Sequence, residues 1–177
     1  MSQSGITDAG RENDWDRWYV DHLRIMVTVP GVTSAQRFKT ASPGFPRSLA
    51  LYSIAHAGVF SDPYYQSIRG MGEWLELIDR NHYRRNLFDG LDRAPPVADG
   101  QALLIADREH PEPQLAGVDW TWLECVGIDR STPYRGVAVA EAERARRASG
   151  GSTGRSVGGD GDGIALYMPV TACVGPK

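Results

Sequence analysis

Lysine is almost absent from this chain of 177 residues; the only two are Lys39 and Lys177, and arginine carries the rest of the basic charge. Basic charge is not in excess either, since the formal net charge is -3. Such a chain lacks the electrostatic footprint of sequence-independent nucleic-acid binding. The two cysteines, Cys125 and Cys173, are too few for a disulfide framework or a four-ligand zinc site. No apolar run is long enough to span a bilayer. The opening MSQSGITDAGREND lacks the basic-then-apolar order of a secretory signal, so the expected compartment is the cytoplasm. No H-x-x-x-H, C-x-x-C or serine-nucleophile elbow occurs. Metal and cofactor are accordingly expected to be none, and membrane and nucleic-acid partners are not expected.

What remains is 41% hydrophobic and 23% charged, the composition of a packed domain. An amphipathic helix is expected from Asn13 or Asp14, with Trp15, Trp18, Tyr19, Leu23 and Met26 on one face and Pro30-Gly31 as its stop. Strands are expected at 32–40 and 48–56, joined by the turn SPGFPR. Asp62-Pro63 opens a second helix, marked by Tyr64, Ile68, Met71, Leu75 and Ile78 and weakened by Gly70 and Gly72. Residues 79–93 read as a helical extension or a loop. Strands are expected at 102–107, 119–126 and 164–171. A third helix begins at Thr132-Pro133, with Tyr134, Ala138, Ala142 and Ala145 at helical spacing. A first strand at 3–7 is only weakly marked. The order of elements is that of an α+β domain with helices on one face of a mostly antiparallel sheet.

The stretch DRWYVDHLRIMVTVPGVTSAQRF, with Trp18-Tyr19, Asp21-His22, Pro30-Gly31 and Arg37-Phe38, resembles EthD-like and methylmuconolactone isomerase-like proteins of the dimeric α+β barrel superfamily. LALYSIAHAGVFSDPYYQSIRGMGEW extends the resemblance, which covers residues 13–80. It implies a ferredoxin-like antiparallel sheet with helices on one face, the other face packed on a second subunit in a homodimer, and a small molecule held between sheet and helices or inside the barrel. Residues 100–177 match no motif. They are read as a C-terminal βαβ extension or a degenerate second half, within a single elaborated domain spanning residues 1–177.

Among candidate chemical groups His22 comes first, because imidazole exchanges protons near neutral pH and its aromatic neighbours favour the neutral base. Its plainer role is a buried histidine tied to a backbone carbonyl. Tyr19, one turn earlier, can donate to a developing oxyanion or simply fill the core. Tyr52 and His56 share a strand face and can orient a carbonyl or a phenol; His56 can equally end the strand at the surface. Trp18, Trp120 and Trp122 are candidates to wall an aromatic pocket, and Arg37 to hold a carboxylate. Packing or a salt bridge is the plainer role for these four. His82, Arg84 and Arg85 beside Tyr83 can cover an anion or merely be solvated. The glycine-rich stretch 149–163 fits neither a P-loop nor a dinucleotide fingerprint, and its Asp160 and Asp162 are weak cation ligands.

These residues point to a cofactor-independent isomerase or lyase acting on a small, partly apolar carbonyl, lactone or hydroxylated metabolite. The alternatives are a cofactor-free or haem-handling monooxygenase and a non-catalytic ligand-binding or assembly protein.

Overall fold

The computed structural model describes residues 1–150 and 163–176. Its eight strands are β1 (Ser2–Ser4), β2 (Val32–Lys39), β3 (Ser48–Ile54), β4 (Arg84–Asp89), β5 (Gln101–Arg108), β6 (Thr121–Ile128), β7 (Tyr134–Glu141) and β8 (Ala165–Pro169). The helices are α1 (Glu12–Met26), α2 (Pro63–Ile68) and α3 (Ala142–Gly150). Among the described residues no helix is long and apolar enough to cross a membrane.

The strands close a barrel in the order β1-β3-β2-β8-β5-β7-β6-β4, and every adjacent pair is antiparallel. This corrects the expectation of an open, ferredoxin-like α+β sheet with helices on one face, and of a dimeric α+β barrel built from it. Closure is made within one chain. Phe38 and Lys39 of β2 pair with Pro169 and Met168 of β8, and Asn86 to Asp89 of β4 pair with Ile128 to Glu124 of β6. The ring also repeats its own pattern. In β1–β4, and again in β5–β8, the spatial order is fourth, first, third, second. The second set is the shorter because only a 3-10 turn, Leu115–Gly117, stands where α1 stands in the first.

Alternation along the strands sorts side chains into two layers. Phe38, Leu49, Leu51, Leu103, Ile105, Leu123, Val137 and Tyr167 pack inside the barrel. Arg135 shares the parity of Val137. It is 1% exposed and forked onto Asp107 at 2.6 Å and 2.6 Å, with Gln3 accepting at 2.8 Å. The outer face carries two covers. Trp15, Tyr19 and Leu23 of α1 lie on Ala35 and Ala50, with Trp74 beside them. Ala145 and Ala148 of α3 lie on Ala102, Leu104, Ala106 and Ala138.

Local signals account for much of this. The buried residues of α1 recur every three or four positions, and Asp62 caps α2 by accepting from the backbone N–H groups of Tyr64 and Tyr65 at 2.8 and 3.0 Å. Three local expectations need correction. The helix from Pro63 stops at Ile68, because Arg69 is extended and Gly70 and Gly72 take φ of 110° and 51°, conformations that leave the helix. Residues 79–93 contain strand β4 rather than a helix extension. The alanine-marked helix expected from Thr132-Pro133 is first strand β7, its Ala138 and Ala140 facing the α3 layer and Val137 the barrel, and only then α3.

Gly136 in β7 shows how closely that outer layer is packed. A Cβ placed there would lie 2.8 Å from the Trp120 ring, which is tethered by its Nε1–H donating to the Leu115 carbonyl at 2.8 Å. Gly136→Ala is therefore expected to cost about 1–3 kcal/mol by overpacking, read from a urea denaturation curve.

Candidate functional site

Helix α1 lies over β2 and β3, and its sequence spacing decides what faces the crevice below. Trp15, Tyr19 and Leu23 point straight down into the core, whereas Trp18 and His22 sit one position off that line and are only half-buried. His22 therefore lies at the rim of the apolar layer. Its ring stacks on Trp18 at 4.6 Å and meets Tyr19 edge-on at 5.7 Å.

A cavity of about 550 Å³ opens there. Tyr19, His22 and Met26 of α1 line it from above. Leu51, Tyr52, Ser53 and Ile54 of β3 form one wall, and Arg85 to Phe88 of β4 another. Tyr65, Gln66 and Arg69 stand at the α2 side. Leu123 and Val137, from the second set of strands, show that the cavity reaches the barrel interior. It passes the end of the very short β1, whose Ser2 is also in the lining.

Burial lowers the pKa of His22 to about 4, so the imidazole is neutral across the physiological range, and is a weaker base than a free histidine. Tyr19 is 1% exposed, and burial raises its pKa. Three neighbours work against burial. The Arg37 guanidinium lies over the phenol ring at 4.3 Å, and hydrogen bonds from the Tyr52 and Ser2 hydroxyls favour negative charge on the Tyr19 oxygen. Tyr52 is held well above its ordinary pKa, by burial first and then by the neighbouring Tyr19. The pair is therefore graded, with Tyr19 the better acid and Tyr52 a neutral donor that supports it.

The structure brings together His22, Tyr19 and Tyr52. Of the basic run, Arg85 and its neighbour Tyr83 also line the cavity, and the remaining candidate residues do not. His56 is exposed beyond the end of β3. Trp18 acts on the site only through its stacked contact with His22. Arg37 is buried beneath α1, donating to Asp16 at 2.8 Å and to Ser48 at 3.0 Å. Trp120 and Trp122 pack on the outer layer beside Gly136. Asp21 is exposed and pairs with Arg24 at 3.2 Å. Sequence reasoning did not single out Ser2, whose strand is weakly marked, nor Tyr65 and Gln66, which are brought in by the early end of α2. Asp160, Asp162 and all but the ends of the stretch 149–163 lie outside the described residues. Among the described residues no group of three or more His, Cys, Asp or Glu side chains is placed to share a metal ion.

Compared with protein-family models, curated proteins and solved structures, the chain matches none.

Proposed function

We propose that the protein is an enzyme of the isomerase or lyase type that moves a proton on a small, partly apolar carbonyl compound without a cofactor. The observation that carries this reading is a neutral histidine and a buried, polarised tyrosine lining one ligand-sized cavity.

In this mechanism His22 removes a proton from the carbon beside the carbonyl, and the electron pair moves onto the carbonyl oxygen. Tyr19 donates a hydrogen bond to that developing oxyanion. Tyr52, Ser2 and Arg37 make Tyr19 a stronger donor as negative charge approaches it. The imidazolium then returns its proton, to a different carbon for an isomerisation or to a departing group for an elimination. Because Tyr19 is almost fully buried, its hydrogen bond acts at a lower local dielectric than in water.

The test is proton exchange in D2O. The protein is incubated with a series of small ketones, keto acids and enol lactones, and loss of the carbon-bound proton is followed by ¹H NMR. The expected result is exchange by the wild-type protein that is lost in His22→Gln. Equal exchange in both proteins, or exchange with no compound of the series, overturns the reading and leaves the cavity as a binding site. Tyr52→Phe removes one neutral hydrogen bond to Tyr19, so kcat is expected to fall about fivefold to tenfold with KM unchanged.

A further inference from the structure

Two arginines belong to the cavity lining, Arg69 and Arg85, against a single carboxylate, Asp92. Arg69 and Asp92 are exposed at the mouth. Arg85 differs, because β4 carries it into the wall and its Nε is buried without a protein partner. Its guanidinium has no carboxylate within salt-bridge distance among the described residues and lies 5.7 Å from the Tyr83 ring. The other buried guanidiniums each have an acid, Arg37 with Asp16 and Arg135 with Asp107, although one terminal N–H group of Arg37 is also without a partner. Asp129 comes near Arg85 but is engaged by its backbone N–H at 2.7 Å. Buried charge is ordinarily paired, and a buried N–H without a partner is costly. A guanidinium turned to a cavity and left without an acid is arranged for an acid that arrives with the ligand.

We infer that Arg85 is a specificity-determining anchor for a carboxylate on the substrate, so that the compound taken into the cavity is a carbonyl acid rather than a neutral ketone or lactone. This rests on the proposed function for the word substrate, but the binding preference itself does not need His22 to be catalytic. The Arg85 guanidinium belongs to the cavity lining, and a guanidinium can offer a carboxylate the parallel N–H pair that a fork requires. The Tyr83 and Tyr65 rings and Phe88 offer apolar contact to the body of the molecule. Exposed Arg69 adds positive potential at the entrance, which favours entry of an anion over a neutral analogue.

The experiment uses the full chain and two probes of nearly equal shape, 2-naphthoate and 2-naphthamide, with benzoate and phenylpyruvate as smaller acids. Binding is read by tryptophan fluorescence and by two-dimensional ¹H–¹⁵N NMR of the arginine Nε–H groups. The wild-type protein is expected to bind naphthoate roughly tenfold to a hundredfold more tightly than naphthamide, the range for a charge-assisted fork. Naphthoate is also expected to move the Arg85 Nε–H resonance. Arg85→Gln is expected to abolish that preference while leaving naphthamide affinity unchanged. Arg85→Lys, which keeps the charge and loses the fork, is expected to retain only part of it. Equal affinities of the two probes for the wild-type protein overturn the inference without any variant, and so does failure of every acid to bind. A preference that survives in Arg85→Gln assigns the anion to another group and overturns it as well. Loss of turnover in His22→Gln bears on the proposed function alone, and leaves the naphthoate preference where it was.

Discussion

Replacing His22 by glutamine is expected to lower turnover by about 10²–10⁴-fold, the range supplied by a positioned general acid or base. The fold is expected to survive, because the ring makes only face and edge contacts with Trp18 and Tyr19, and an amide of similar size covers the same rim. The pH profile separates a chemical role from a structural one. Burial holds His22 near 4, so turnover by the wild-type protein is expected to stay level from about pH 8 down to about pH 5 and to fall below that, as the imidazole takes up a proton. An unperturbed histidine would already be half protonated at about 6.5. Stability follows the same group. Between about pH 6.5 and 4 the unfolded chain binds a proton that the folded chain does not. The contribution of neutral His22 is thus complete above about 6.5 and drains away as pH falls through 4. His22→Gln is expected to flatten that part of the stability curve. Turnover equal to wild type in a folded His22→Gln protein would remove His22 from the chemistry.

Replacing Trp15 by alanine is expected to cost about 3–5 kcal/mol in urea unfolding, the range for emptying a fully buried large aromatic site. Trp15 is 0% exposed. It stacks on Trp18 at 5.1 Å and meets Tyr19 and Trp74 edge-on at 5.0 and 5.3 Å, so removing it opens a hole where three rings converge. The neighbours cannot close that hole cheaply. The residues facing Trp15 across the layer, Ala35 and Ala50, are already small and belong to the strands. Tyr19 loses its lateral support, so a large fall in turnover is expected alongside the loss of stability. Trp15→Phe refills part of the volume and is expected to recover more than half of both. A loss below about 1 kcal/mol for Trp15→Ala would mean that α1 is held by other contacts.

Much of the candidate site was legible before the fold was known, for a physical reason. His22 and Tyr19 share a helix face whose period is visible in the residues themselves, and Tyr52 follows from the two-residue alternation of its strand. Arg85 was visible as part of a basic run with His82 and Arg84, but not as a separate group. Its distinction comes from β4, a strand that the charged and aromatic stretch 79–93 does not announce. Ser2 was hidden in the same way, since three residues carry too little pattern to declare a strand. Trp120 and Trp122 were correctly paired on one strand face, and which face that was depended on β7 and α3 lying beside it.

The segment YRGVAVAE shows where local pattern ends. Tyr134, Ala138, Ala142 and Ala145 fit a helical period, and Val137 and Val139 fit a strand equally well. The choice is made by β5, which pairs with the whole segment from Gln101↔Glu141 to Arg108↔Tyr134. Such a ladder joins residues 26 to 40 positions apart, and no short window contains it. The same holds for closure. Phe38 meets Pro169, and Asn86 meets Ile128, across chain separations that periodicity does not reach.

By itself the sequence determined the position of α1, the turn at Pro30-Gly31, the helix start at Asp62-Pro63, most of the strands, and the histidine and tyrosines that share the crevice. Those are short-range properties, set by side-chain spacing, capping and backbone preference within a few residues. Only the tertiary structure decided that eight strands close into one barrel, that the second half repeats the strand order of the first, and that Arg85 joins the cavity lining with no carboxylate within salt-bridge distance among the described residues. These depend on which distant strands satisfy one another's backbone hydrogen bonds and bury one another's apolar faces, a choice made by the whole chain at once.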